Sequence, residues 1–451
     1  TIMAHLLSKE YLLCDFSPIL LKSENDPPID ITNLVSEIQV EENIFSPYVK
    51  GCLIFKDAAS YRIIRRLELK GGPETSISFS FRGVQDDGKG LQEEIELNSS
   101  DYFLYKFTPA FPTNKTSQQF VLNFIHRCFF EDQQFKLSKC FKKEKINTIV
   151  ESLGSEIELE WDEVEETKGD IVTALPYDNI FKHISTLLKY SVRTENIDDV
   201  NYVFWQNIKG KHNFVSLGKL YSEESSFGST TEITDNNFEQ AGFIYAEYLS
   251  GNNYAINRRL TYVHHSKNKS LYEESLAGTY TSGINFVDPH YMNSHEYLTY
   301  DINEEWDKQT HITSERIIDK NSLFWEQIKG PFFSSEYNVK QHGYCCKESP
   351  GGQRNEPYCA SKRLSLMGQM FQLGIEFVVS GFSDTDKVSV GKTILFSRPL
   401  MYDPEFQIKQ DDIFYKGKFL VTSMKHVVNL SNALSPKYFC RIRAHKDSLG
   451  D

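Results

Sequence analysis

Near the C-terminus, the stretch "FYKGKFLVTSMKHVVN" (Phe414 to Asn429) sets a histidine on an extended segment that follows a glycine turn. A histidine that moves protons needs a nucleophile or a carboxylate within hydrogen-bond reach. No such partner for His426 is visible along the chain, so it reads as a structural or interface residue, and His426→Gln is expected to leave assembly largely intact. On a strand, Leu420, Thr422, Met424 and His426 share one face, with Phe419, Val421 and Lys425 on the other. A second cluster, "QHGYCCKESPGGQRNEPYC", gathers His342, Cys345, Cys346 and Cys359. These are zinc-type ligands. Adjacent cysteines do not readily reach one ion, however, and no C-x-x-C pair is present. A loop with incidental thiols is expected, with a disulfide between Cys359 and Cys345 or Cys346 left open. A zinc enzyme built on these residues is the rival reading.

His264 and His265 are neighbours on a strand and would point to opposite faces, which does not suit a shared metal. "SVGKTI" ends like a phosphate-binding loop, but Asp386 stands where the motif needs its first glycine. A strand-like "ILFSRPL" also follows where a helix is required. Gly391 and Lys392 are therefore expected in a turn. No H-E-x-x-H, G-x-S-x-G or dinucleotide fingerprint occurs. Carboxylate pairs are everywhere in an acidic chain and point nowhere. The glycosylation-type triplets at Asn114 and Asn268 are chance matches if the protein is not secreted. No catalytic, cofactor-binding or metal residue is expected.

The 451 residues exceed what one core usually holds, so two to four domains are expected. The 32 Phe and 24 Tyr tilt the chain toward strands and interfaces. The formal net charge of −13 argues against wrapping nucleic acid through its phosphates, although it would keep passing DNA from sticking. No apolar run of about 18 residues is present, so no membrane span is expected. "TIMAHLLSKEYLL" lacks the pattern of a signal peptide. The eight cysteines are spread thinly, and most are expected to be buried or free thiols.

Residues 28 to 115 read as antiparallel strands. "SEIQVEE" sets Ile38 and Val40 on one face, and "SISFSFRG" alternates Ile77, Phe79 and Phe81 with serines. "DYFLYKFTPAF" reads as a strand stopped by Pro109. "KTSQQFVLNFIHRCFF" fits a strand or a helix. In "KKEKINTIVESLG", Ile146, Ile149, Val150 and Leu153 form a helical stripe with Gly154 at the C-cap. The acidic "SEIELEWDEVEETKGD" reads as a solvated strand and loop. "PYDNIFKHISTLLKYSV" reads as a helix opened by Pro176 with Ile180, Ile184, Leu187 and Leu188 inward. "NYVFWQNIKGKHNFVSLGKL" reads as a hairpin turning at Gly210. Tyrosines crowd residues 270 to 300 beyond what a core needs, which suggests an extended contact surface. "SKRLSLMGQMFQL" reads as helix, "GIEFVVSG" as strand, and "YFCRIRAHKDSL" alternates Tyr438, Cys440, Ile442 and Ala444 against Phe439, Arg441 and Arg443.

Three stretches carry a resemblance. "DITNLVSEIQVEENIFSPYVKGCLIFKDA" is similar to the opening of baseplate central hub proteins of contractile-tailed bacteriophages. "PYDNIFKHISTLLKYSV" followed by "YVFWQNIKGKHNFVSLGKL" resembles their helix and aromatic hairpin. "GKFLVTSMKHVVN" and "YFCRIRAHKDSL" resemble their last two strands. Residues from about 270 to 360 match no motif of that family.

The resemblance implies a mainly β fold with α/β insertions, and two tail-tube-like β-barrels per chain forming a pseudo-hexameric trimer. Three chains with two barrels each match a sixfold tube on one side and a threefold spike on the other. The implied partners are further copies in a homotrimer, the central spike protein, the tail tube protein and other baseplate proteins. DNA would pass through the lumen without specific binding, and an acidic lumen would suit that passage. The implied location is the virion, after assembly in the bacterial cytoplasm. The expected division is a first barrel at 1–115, an α/β insertion at 116–225, strands completing the barrels at 226–290, a loop-rich insertion at 291–360, and a second barrel at 361–451. A type VI secretion or other contractile injection hub is the nearest alternative; there the spike β-helix is usually fused on the same chain, and none follows "HKDSLGD". A tail-associated cell-wall hydrolase is the alternative from another class. It would need a convincing acid or nucleophile.

Overall fold

The structure, a computed structural model, describes residues 14–23, 27–57, 75–83, 91–112, 118–228, 243–245, 259–260, 262–267, 278–287, 295–317, 335–339, 355–397, 414–431 and 436–450. His342, Cys345, Cys346, Asn114, Asn268 and the side chain of Cys359 lie outside what is described. The fold is mainly β. Its strands that matter here are β1 (Leu20–Ser23), β2 (Val35–Asn43), β3 (Lys50–Asp57), β4 (Thr75–Arg82), β5 (Tyr102–Pro112) and β6 (Gln118–His126) in the first part of the chain. The α/β insert contributes β7 (Lys136–Lys145), β8 (Trp161–Val164), β9 (Asp170–Asn179), β10 (Tyr202–Gln206) and β11 (His212–Ser216). The later part contributes β12 (Phe243–Tyr245), β13 (Arg259–Leu260), β14 (Tyr262–Lys267), β15 (Leu373–Ser380), β16 (Thr393–Ser397), β17 (Gly417–Asn429) and β18 (Lys437–Lys446). Of the helices, those that matter here are α1 (Cys128–Gln134), α2 (Ile146–Ser155), α3 (Ile180–Leu187) and α4 (Asn355–Met370).

The alternating patterns behave as period-2 sequences should. Ile38 and Val40 on β2, Ile77, Phe79 and Phe81 on β4, and Tyr438, Cys440, Ile442 and Ala444 on β18 are all buried. In the first lobe the strands run β2-β3-β6-β5-β4-β1. In the second lobe, β17 pairs β18, β18 pairs β15, β15 pairs β14, β13 pairs β12, β12 pairs β16, and β16 returns to β17. β13 and β14 follow each other in the chain with residue 261 between them.

The two lobes meet on β17. Its first residues pair β16 (Leu420 with Thr393), and the rest of the same edge pairs β2 (His426 with Val40). The opposite edge is held by β18 from Leu420 to Asn429. A bulge between Val421 and Ser423 changes the sequence-based facing. Val421 opposes Ala444 while Met424 opposes Ile442 and His426 opposes Cys440, so Val421 joins the face of Met424 and His426, which the simple alternation did not allow. One apolar core accordingly runs through both lobes, from Leu53, Phe79 and Phe124 to Phe377, Phe419 and Met424.

The insert has its own core, in which Ile146, Ile149 and Leu153 of α2 and Ile180, Ile184 and Leu187 of α3 pack with Phe204 and Phe214. The β10–β11 hairpin turns at Gly210, whose φ is +84°. Three local expectations are corrected. Pro176 does not open α3; it lies in β9, and the helix begins at Ile180. β7 and β9 form a two-stranded ribbon in which Pro176 and Tyr177 face Ser138 across a register shift, so the missing N–H breaks no ladder bond. Pro109 does not stop β5, which runs to Pro112 through another irregularity opposite β6. Gly154 is not a cap but sits inside α2, where a Cβ would lie 2.6 Å from the Trp161 ring. "KTSQQFVLNFIHRCFF" is resolved into both forms, with β6 ending at His126 and α1 starting at Cys128.

Candidate functional site

Where β2, β17 and β18 lie side by side, their inward residues form a buried polar cluster. His426 is 2% exposed and Tyr438 and Cys440 are 0% exposed, so no substrate reaches them. His426 Nδ1 lies 2.7 Å from Tyr438 Oη and 3.6 Å from Cys440 Sγ. Its Nε2 faces Glu42 Oε1 at 4.0 Å. The Tyr438 hydroxyl donates to the Phe382 carbonyl at 2.7 Å. Glu42 accepts from the Ile208 backbone N–H at 3.0 Å and from that of Val390 at 3.4 Å. The expectation that His426 has no partner is thus corrected: β-pairing brings Glu42 and Cys440 to it from distant parts of the sequence. A thiol, an imidazole and a carboxylate in contact could in an open cleft support nucleophilic chemistry. Here they are sealed in the core, and they tie β2, β17, β18 and the segments at Phe382, Ile208 and Val390 together.

Burial works against the charged form of His426, but Cys440 and Glu42 outweigh it and raise its pKa to about 9. The hydrogen-bond pattern agrees. A hydroxyl has one proton, and Tyr438 gives its own to Phe382, so Nδ1 of His426 is the donor in that contact.

The other face of the same strands is open and polar. Lys425 lies 3.9 Å from Glu41, and Arg441 and Arg443 both engage Glu376. Burial would raise the Glu376 carboxyl, but Arg443 and Arg441 together hold it below its ordinary value. A shallow cleft of about 270 Å³ crosses this face between Lys425, Glu41, Lys50, Cys52, Asn123 and Tyr105. The face carries Lys50, Lys425, Arg441 and Arg443 against Glu37, Glu41 and Glu376, so its charge is mixed rather than acidic.

The remaining sequence candidates fall apart or fall outside. Gly391, with φ +88°, forms a turn whose N–H donates to the Val421 carbonyl at 3.0 Å, and β16 follows directly. His264 pairs with Glu376 and His265 with Ile375 on successive ladder positions. Among the described residues no group of three or more His, Cys, Asp and Glu is placed to hold a metal ion. Cys14, Cys52, Cys128, Cys140 and Cys440 are free thiols. No described helix is long and apolar enough to cross a membrane. Sequence reading missed Glu42 and Tyr438; their one signal was a polar residue at an inward position of an otherwise apolar strand.

No protein-family model and no curated protein matches the sequence. Solved structures do match. The 43 kDa tail protein of prophage MuSo2 from Shewanella oneidensis aligns over 97% of this chain and 100% of its own, with a TM-score of 0.52 and 7% identity. A tail protein from Neisseria meningitidis MC58 aligns over 96% of this chain and 97% of its own, with a TM-score of 0.48 and 8% identity. The Francisella PdpA–VgrG complex aligns over 98% of this chain and 60% of that chain, with a TM-score of 0.44 and 10% identity. At 7% identity the first likeness is one of fold: this chain has the fold of a phage tail protein over nearly its whole length.

Proposed function

We propose that the chain is the central hub of a contractile phage tail baseplate, a non-catalytic adaptor whose three copies close a ring between the sixfold tail tube and the threefold central spike. The observation that carries this reading is the end-to-end fold likeness to the MuSo2 tail protein. The strand order supports it. Each chain has two β lobes, and the run of pairings β14-β15-β18-β17-β16-β12-β13, whose two end strands follow each other in the chain, fits one tube-type barrel. Strands β1 to β6 fit the other. Two lobes per chain in a ring of three give six similar units, which is the symmetry a tube requires.

In this reading the partners are two further copies of the chain, the spike protein, the tube protein and other baseplate proteins. The ring is assembled in the host cytoplasm and resides in the virion. DNA passes along its lumen without base recognition. A mixed-charge polar sheet face, rather than an acidic one, is the surface available to line such a channel, since adjacent opposite charges cancel within a Debye length.

Light scattering and electron microscopy of the purified chain, alone and with its spike protein, test the proposal. A threefold ring with a sixfold outline is expected, and the spike is expected to strengthen a weak isolated trimer by mass action. A chain that stays monomeric in the presence of both spike and tube proteins would sink it.

A further inference from the structure

Lys362 stands on α4 and is 0% exposed, and a lysine is seldom fully buried unless paired. Its ammonium contacts two carboxylates brought from distant parts of the chain. One is Asp198, in the loop before β10, which accepts from Nζ through Oδ1. The other is Glu305, at the end of the short helix Ile302–Glu305, whose Oε2 lies 2.7 Å from Nζ. Both carboxylates are enclosed, with side chains only 17% and 11% exposed. Val200, two residues after Asp198, packs with Leu366, one helical turn after Lys362, in a small apolar cluster.

An ion pair needs one carboxylate, and this lysine has two. Glu305 is shared: its Oε1 lies 2.8 Å from Lys308 Nζ while Oε2 stays on Lys362. An arginine would hold carboxylates as well, but a guanidinium does not give up its proton. A lysine amine that loses one becomes a nucleophile. The hydrogen bond to Oδ1 sets Nζ beside the Asp198 carboxyl carbon, which is a near-attack arrangement.

We propose that Lys362 and Asp198 join in an isopeptide bond, with Glu305 relaying the protons. Before reaction the three groups form an ion cluster. Glu305 Oε2 takes one proton from Nζ and passes it to the Asp198 carboxylate, which touches the same nitrogen. The free amine adds to Cγ of Asp198 and forms the C–N bond. Glu305 then carries a second proton from the nitrogen to the departing hydroxyl, the C–O bond breaks, and water leaves. An ammonium and a carboxylate become an amide and one water, and Glu305 ends as it began, so atoms and charge balance without a co-reactant. Burial favours the product, because a neutral amide replaces an ion pair that the interior solvates poorly. The link spans 164 positions of the sequence and ties the insert to α4 covalently. The proposal is independent of the hub reading.

Mass spectrometry of the denatured full chain is the test. The expected mass is one water below that of the sequence, and a protease digest should give a branched peptide joining the Lys362 and Asp198 segments. Lys362→Arg, which keeps the cation, should restore the full mass. Glu305→Gln, with its fold checked by circular dichroism, should form the link about 100-fold more slowly, the scale of losing a proton relay. If that variant does not fold, the wild-type mass and the branched peptide still decide. Full sequence mass in wild-type chain after a week at neutral pH would overturn the proposal. So would loss of water without a branched peptide, the mark of a succinimide at Asp198, or linkage at the wild-type rate in folded Glu305→Gln.

Discussion

His426 donates from Nδ1 to Tyr438 Oη at 2.7 Å and turns Nε2 toward the Glu42 carboxylate at 4.0 Å, so both ring nitrogens favour the imidazolium. With the pKa raised from 6.5 to about 9, this histidine stabilises the fold fully below pH 6.5, and the stabilisation is lost as pH rises through 9. Urea denaturation between pH 6 and pH 10 should show a decline on the order of a few kcal/mol. His426→Gln should start less stable and lose most of that decline. A variant with the wild-type alkaline slope would show that another group titrates there.

The acid side belongs to two other histidines. Burial lowers His126 to about 3, with His212 and Arg127 contributing, and lowers His212 to about 4. The unfolded chain therefore binds protons that the native chain refuses, and stability should fall as pH drops below 6.5 toward 4. His126→Gln combined with His212→Phe should flatten this limb while leaving the alkaline limb of His426 unchanged. Denaturation midpoints across the range separate the two.

Lys362 of α4 is 0% exposed, sits 2.7 Å from Glu305 and also contacts Asp198. It joins the loop before β10 to the segment around residue 305. Lys362→Met should cost about 3–5 kcal/mol, because two carboxylates lose their buried cation. Adding Asp198→Asn and Glu305→Gln should recover a large part of it. A double-mutant cycle on urea midpoints gives the coupling, and a cost near zero for Lys362→Met alone would contradict the buried pair.

Gly381 lies where a Cβ would stand 1.9 Å from the Tyr438 ring. Gly381→Ala should force Tyr438 away, at a cost of about 1–3 kcal/mol. It should also weaken the alkaline decline attributed to His426, since the Tyr438 hydroxyl that accepts from Nδ1 moves. A destabilised variant with an unchanged alkaline slope would separate the packing from the proton chemistry.

Because β17 pairs with β2 on one edge and with β18 on the other, the two β lobes should unfold together. Native-state hydrogen exchange should give the amides of Val40 and Ile442 the same opening free energy within about 0.5 kcal/mol. A fragment ending before residue 361 would leave the edge of β2 unpaired and should fail to give a cooperative transition. Independent melting of that fragment at the wild-type midpoint would refute the shared-strand account.

The sequence by itself determined the local elements whose periodicity is set by one-sided burial. The stripes of α2 and α3, the alternation on β2, β4 and β18, and the Gly210 hairpin follow from side-chain spacing alone. The order of motifs also led to a tail-protein fold, and the likeness to the MuSo2 protein supports that fold. Prolines misled because their meaning depends on pairing. Pro176 reads as a helix start until the ribbon's register shift gives it a place without a donor. The partners of His426 were beyond reach for a related reason. Glu42 and His426 lie far apart in the chain, and only the β2–β17 register sets His426 against Val40 and Glu42 against Met424. The bulge at Thr422 then decides which side chains share the buried face. Spacing encodes which way a side chain points from its own strand. What it meets there is decided by strands hundreds of residues apart, and that turned a histidine with no visible partner into the buried tie between the two lobes.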